Sequence, residues 1–231
     1  MAAEAAKRGA KRLFLLGRDA MRLRESAERC IGCEVECIVV DVTDRMLMRE
    51  TIERVARECP LDVVIANAGV ATGQENEINA RHTFEVNIGG VANTVFPAID
   101  VFTARRCGKI VIVSSMTAYH GMASCPSYAA SKAAVKAWGA GLRGMLRKQG
   151  IDVCVVCPGF VRSGITDKND FRMPFFMEAD KAARIIWRGI LRNSPLIAFP
   201  WQMRFAAWLG AMLPEAIADK LYSRLPKKST A

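Results

Sequence analysis

Short apolar runs alternate with longer stretches in which apolar residues recur every three to four positions, from the first residues to about residue 200. The first run, Arg12–Gly17, reads as a buried strand, and Asp19 is placed to cap a helix over Ala20–Arg29. Val35–Val40 predicts a second strand, followed by Asp41-Val-Thr-Asp44 and a helix to about Glu58. A third strand, Leu61–Ala66, runs into Asn67-Ala68-Gly69. The pattern from about Asn79 to Arg105 predicts one long helix, which Gly89-Gly90 weakens unless close packing demands the pair. Strand Lys109–Ser114, helix Ser127–Lys148, strand Ile151–Cys157, a Pro158-Gly159 turn, helix Glu178–Leu191 and strand Leu196–Phe199 follow.

Apolar strands separated by amphipathic helices predict an α/β fold, a doubly wound parallel sheet with helices on both faces. In such sheets ligands lie beyond the carboxyl ends of the strands. Gly17-Arg18, Asp41, Asn67-Ala68-Gly69, Ser114-Ser115 and Pro158-Gly159 all fall there. No repeat, low-complexity tract or linker interrupts the pattern, so residues 1–231 read as one domain, with about 200–231 a helical extension.

The 231 residues suffice for a sizeable core. Hydrophobic residues at 51% against 24% charged fit a folded soluble protein and exclude a disordered one. The formal net charge of +10 raises a nucleic-acid surface, an anionic membrane or a phosphorylated ligand as partners. The cations are spread over helical segments without aromatic interleaving, which favours solvated helix faces over nucleic-acid binding. Cys30-x-x-Cys33 and Cys154-x-x-Cys157 carry metal-like spacing, but residues three apart on a strand face opposite ways, so Cys154 and Cys157 read as buried thiols. Without disulfide-scaffold spacing or a visible leader, an intracellular, cytoplasmic setting is expected. The apolar tract Leu196–Leu213 is too interrupted to span a bilayer, which leaves peripheral membrane contact through the carboxyl-terminal region open.

The chemistry concentrates in Ser114–Lys136. Tyr128 and Lys132, four apart, share a helix face. An ammonium beside a phenol stabilises phenolate and pulls its pKa down from about 10. Alone, such a pair also describes an ordinary solvated helix face.

With Asn67-Ala68-Gly69, Asn87, Ser115, Tyr128 thirteen residues on, Lys132 four further, and Pro158-Gly159-Phe160-Val161-Arg162-Ser163, the chain resembles the short-chain dehydrogenase/reductase family to about residue 200. The resemblance implies a Rossmann-like sheet and carbonyl–alcohol interconversion. It makes Tyr128 the acid/base and has Lys132 lower its pKa and bind the nicotinamide ribose. Ser115 would hold the substrate oxygen, with Ser114 pointing the other way, and Asn87 would bind a relay water. Asp41 would contact adenine, Asn67-Ala68-Gly69 would flank the adenosine ribose, and Pro158, Gly159, Val161 and Ser163 would cover the nicotinamide. Gly17 stands where an acid would favour NAD, and Arg18 follows it. An arginine without the acid suits a 2′-phosphate, so NADP(H) is expected over NAD(H).

The family's opening strand and its Thr-Gly-x-x-x-Gly-x-Gly phosphate turn have no counterpart in the sequence. Residues 1–10 resemble the end of the family's first helix. Lacking the strand between its neighbours leaves a slot of unpaired backbone groups. Two explanations compete: an amino-terminally shortened enzyme, favoured by the intact catalytic set, or a natural form that has lost cofactor binding. The first predicts that residues 1–231 alone bind NADPH weakly and are of low stability.

An oxidoreductase is therefore weighed against a non-catalytic Rossmann-like scaffold. Phe171, Met173, Phe175, Phe176 and Met177, in the segment 165–177, suggest either an apolar lid for a hydrophobic or lipid-like carbonyl compound or simple packing onto the core. Trp201, Phe205, Trp208 and Leu209 could face the pocket, a partner subunit or a membrane. The family implies a homodimer or homotetramer built on helices 79–105 and 127–148, where Gly139, Gly141 and Gly144 would permit close helix approach.

Overall fold

The computed structural model describes residues 1–168, 171–214 and 216–217. In chain order they form α1 (Ala2–Lys7), β1 (Arg12–Gly17), α2 (Ala20–Glu28), β2 (Glu34–Val39), α3 (Arg45–Glu58), β3 (Val63–Ala66), α4 (Glu77–Phe84), α5 (Val91–Arg105), β4 (Gly108–Val113), α6 (Pro126–Leu146), β5 (Ile151–Pro158), α7 (Ala179–Leu191), β6 (Leu196–Phe199) and α8 (Trp201–Gly210). Most predicted boundaries hold to within one or two residues. Asp19 caps α2 as expected, accepting the Met21 and Arg22 amides at 3.0 and 3.1 Å.

Every strand pairing is parallel, but the strands form two sheets: β1 with β2, and β3-β4-β5-β6. Among the described residues no strand hydrogen bond joins them, so the single sheet expected from the pattern is split between β1 and β3, where the sequence lacks the family's opening strand. Side chains bridge the join. Val40, Met48 and Ile52 pack with Leu16 and Val42 on one side and Leu61 and Val101 on the other.

The larger sheet is covered on both faces, which explains its almost unbroken apolar strands. Ile110, Ile112 and Val153 pack against Val95, Phe102, Val135 and Leu142 of α5 and α6. Val111, Cys154 and Val156 point oppositely, towards Ala182, Ile186 and Ile190 of α7. Cys154 and Cys157 are buried free thiols, and burial raises the pKa of both.

The expected long helix is present as one helical run from Glu77 to Arg105, but its pitch is not uniform. Asn76 caps α4, accepting the Asn79 amide at 2.9 Å, and a π-helical turn over Glu85–Gly90 links α4 to α5. The cause lies partly at Gly90, where a Cβ would come within 2.5 Å of the Val42 side chain, so only glycine lets the helix sit this close to the 41–44 loop. Asn93 ties down the same loop by donating to the Val42 carbonyl at 2.9 Å. Gly139 also has a different role from the one expected. Its missing Cβ would lie 2.6 Å from Val155, so it brings α6 onto its own sheet rather than onto a partner helix. Gly141 and Gly144 have open space around them.

Candidate active site

Ser115 lies just beyond β4 and Tyr128 in the first turn of α6, which brings residues thirteen apart in sequence near enough for the Ser115 hydroxyl to act on the phenol. Ser115 Oγ also accepts the Thr117 amide at 3.2 Å, which fixes its rotamer at the start of a 3₁₀ turn over Met116–Tyr119. Ser114 donates at 2.7 Å to the Lys132 carbonyl and so bolts the strand end to α6.

Lys132 is 3% exposed, and its Nζ donates to the Val113 carbonyl at 3.0 Å. It lies 5.8 Å from the centre of the Tyr128 ring. Burial lowers its pKa to about 8. Tyr128 is half-buried; burial pushes its phenol up to about 12, and the nearby Ser115 hydroxyl opposes the shift. The expectation that Lys132 depresses the tyrosine pKa is therefore not met. Desolvation sets the direction here, and the Lys132 ammonium is directed at a backbone carbonyl.

Asn87 sits in the π turn, fully buried. Its Oδ1 accepts the Val70 amide at 2.8 Å, while Nδ2 donates to the Val70 carbonyl and to Ser131 Oγ, both at 3.0 Å. Ser131 in turn donates to the Tyr128 carbonyl at 2.8 Å. The amide thus clamps the chain after β3 to the start of α6. A Cβ on Gly69 would lie 3.1 Å from Lys132 Nζ and 3.2 Å from Asn87 Oδ1, so glycine leaves room for both groups.

Ser131 and Glu75 are contributors that the motif spacing does not reveal. The residue that precedes α6 is Cys125, which makes no side-chain cap, and Pro126 has no N–H. Glu75 supplies the cap from a distant loop. Its carboxylate accepts the Ser127 amide at 3.2 and 3.3 Å and the Ser127 hydroxyl at 2.9 Å. Glu75→Ala should cost about 1 kcal/mol of stability, while Glu75→Gln, which still offers an acceptor, should recover most of it in thermal melts.

The residues expected on the cofactor side lie at the carboxyl ends of the strands, as the pattern predicts. Asp41 spends Oδ1 on the Thr43 amide and hydroxyl at 2.9 and 2.8 Å, and these bonds, aided by Arg18, hold its carboxyl below the usual range. Arg18 reaches Asp41 at only 3.5 Å and is 58% exposed on its side chain. After β5, the Gly159 amide donates to Phe199 at 2.8 Å, and a Cβ on Gly159 would clash with Met203 at 2.6 Å, so α8 presses directly on this turn. Val161 bridges to Met177, and Thr166 anchors the loop by donating to the Val161 carbonyl and accepting the Ser163 amide, each at 2.8 Å. The lid residues divide: Met177 is buried in the core and Phe171 stacks edge-on to Phe160, whereas Phe175 and Phe176 are exposed. Residues 169 and 170 of the lid, and 215 and 218–231 of the predicted extension, lie outside the described residues.

A nicotinamide nucleotide fits the donor set. Lys132 has three N–H bonds and gives one to Val113, which leaves buried donors for ribose hydroxyls beside the Ser115–Tyr128 pair.

The family model described as short chain dehydrogenase matches residues 1–172. An uncharacterized oxidoreductase of Myxococcus xanthus is 34% identical over 229 residues, 95% of this chain and 89% of its own. A 17-beta-hydroxysteroid dehydrogenase 13 of Rattus norvegicus is 28% identical over 207 residues, covering 84% of this chain and 68% of that protein. A short-chain dehydrogenase from Sphingobium yanoikuyae, solved in complex with NADPH, superposes with a TM-score of 0.79 over 100% of this chain and 92% of that one, at 24% identity. The chain belongs to the short-chain dehydrogenase family and is an oxidoreductase of that family.

Proposed function

We propose that this chain interconverts a carbonyl and an alcohol with NADP(H), with Tyr128 as acid/base and Ser115, Lys132 and Asn87 completing the site. The observation that carries this reading is a buried lysine, its Nζ 5.8 Å from the Tyr128 ring centre and bonded to the Val113 carbonyl, set beside the neighbouring Tyr128 and Ser115 hydroxyls. When bound, the nicotinamide supplies or accepts hydride. Ser115 and Tyr128 then present two hydroxyls to one substrate oxygen, and the phenol, protonated up to about pH 12, gives its proton to the oxygen as hydride reaches carbon. Lys132 charge offsets the phenolate that results. The reduction direction should therefore hold below about pH 8 and fade as Lys132 loses its proton, whereas alcohol oxidation, which needs phenolate, should rise with pH. Rate profiles in both directions check this.

The preference for NADP(H) rests on Arg18, exposed and loosely paired at the end of β1, with Gly17 in place of an acid. Asp41, Asn67, Ala68 and Gly69 would line the adenosine side, and Pro158, Gly159, Val161 and Ser163 the nicotinamide side. Arg18→Glu should weaken NADPH binding by about tenfold to a hundredfold and leave NADH binding almost unchanged, read by fluorescence titration. Exposed Phe175 and Phe176 beside the Pro158 turn favour a hydrophobic carbonyl substrate. The residues 1–231 act as one unit in this reading. A homodimer or homotetramer is supported by apolar side chains left exposed on α5 and α6, Phe96 and Met145, with Phe96 stacked on Trp138 at 5.5 Å.

A further inference from the structure

The catalytic reading leaves α8 unexplained. Its inner side is used, with Met203 against Gly159 and the helix packed on β6 and the Met116–Tyr119 turn. Its outer side carries Trp201, Phe205, Trp208 and Leu209, with Met212 one turn on, and these are 72, 57, 51, 49 and 65% exposed. The spacing i, i+4, i+7, i+8, i+11 makes one continuous stripe along the helix, and the Phe205 and Trp208 rings stand 6.0 Å apart within it. Isolated exposed apolar residues need no explanation, but a helix-long stripe of four, continued by Met212 in the turn beyond the helix, does.

We infer that this stripe docks on an anionic lipid surface. Two observations select lipid over a protein partner. The first is residue type: tryptophan ends the stripe at one side and recurs at its centre, and its amphipathic ring is favoured at the headgroup boundary. The second is charge. Arg204 is exposed on the same helix, and residues 201–231 carry five basic side chains against two acidic ones in a chain of net charge +10. An apolar stripe with basic flanks is the composition of an interfacial helix, which lies in the plane of the membrane without crossing it. Among the described residues no helix is long and apolar enough to span a bilayer. Because α8 presses on the Pro158-Gly159 turn, docking would set the catalytic edge of the sheet close to the membrane, where an apolar carbonyl compound dissolves.

The test is sedimentation of the full chain with vesicles of phosphatidylcholine containing about one-third phosphatidylserine, and with phosphatidylcholine alone. The chain should partition onto the anionic vesicles, bind the neutral ones less and release with salt. The exposed triple change Trp201→Ser, Phe205→Ser, Trp208→Ser should cut partitioning by about a hundredfold with an unchanged melting temperature, while Trp201→Leu with Trp208→Leu, which keeps apolar area, should retain most of it. Equal binding by wild type and the triple variant would overturn the proposal. So would failure of the wild type to bind, or light scattering that shows the triple variant breaking a larger oligomer, which would make the occupant a second copy of the chain. None of these readouts depends on turnover, so they stand apart from the catalytic reading.

Discussion

Replacing Tyr128 by Phe should reduce carbonyl reduction by about a thousandfold while leaving NADPH affinity and the melting temperature close to wild type. The substitution removes one oxygen. The ring remains on α6, Ser131 still donates to the residue 128 carbonyl, and Lys132 still bonds to Val113, because neither contact involves the phenol. What disappears is the proton donor beside Ser115. Ser115→Ala should lower the rate less, because one of two groups on the substrate oxygen survives. A Tyr128→Phe variant that keeps wild-type turnover would remove Tyr128 from the chemistry.

Lys132→Met should abolish turnover and at the same time stabilise the fold. Lys132 is buried as a cation, with its pKa lowered from 10.5 to about 8 by desolvation. A pKa lower in the folded chain means that the unfolded chain binds the proton more tightly, so the group destabilises the fold wherever both forms are charged. The penalty is complete below about pH 8 and is relieved as pH rises towards 10.5. At most it amounts to about 3 kcal/mol. Methionine restores the packing but orphans the Val113 carbonyl, at a cost of about 1 kcal/mol. A net gain of about 2 kcal/mol at pH 7 should raise the melting temperature by several degrees. Wild type should gain on the variant between about pH 8 and 10, before Tyr128, whose raised pKa acts in the opposite sense, begins to matter. Loss of activity with a fall in stability at pH 7 would show that Lys132 contributes more to the fold than its burial costs.

Much of the fold is legible because strands covered on both faces must be apolar throughout, and Val111, Cys154 and Val156 on one face and Ile110, Ile112 and Val153 on the other leave no polar gap to misread. The place of the split was legible too, from the family's glycine turn and strand that the sequence lacks. The π turn was not. Periodicity over 79–105 fits a straight helix, and the contact that forces Gly90 against Val42 joins segments 48 residues apart. In the candidate site, Ser115, Tyr128, Lys132 and Asn87 were named from the family resemblance, which says nothing of their energetics. The desolvation that raises the Tyr128 pKa depends on the whole surrounding fold. Glu75 was invisible for a similar reason, since it caps a helix 52 residues away whose own N-cap position is a cysteine that makes no side-chain cap. Gly139 shows that a small residue on a helix does not declare which neighbour it admits.

The most direct test of the central claim is isotopic. NADPH deuterated at the hydride-bearing carbon of the nicotinamide is incubated with the chain and an apolar ketone, and the product alcohol is read by mass spectrometry. Carbonyl–alcohol chemistry at this site predicts deuterium on the carbinol carbon with wild type and essentially none with Tyr128→Phe. No labelled alcohol from wild type across a range of apolar ketones, with NADPH bound, would contradict it and leave a non-catalytic Rossmann-like scaffold as the better description.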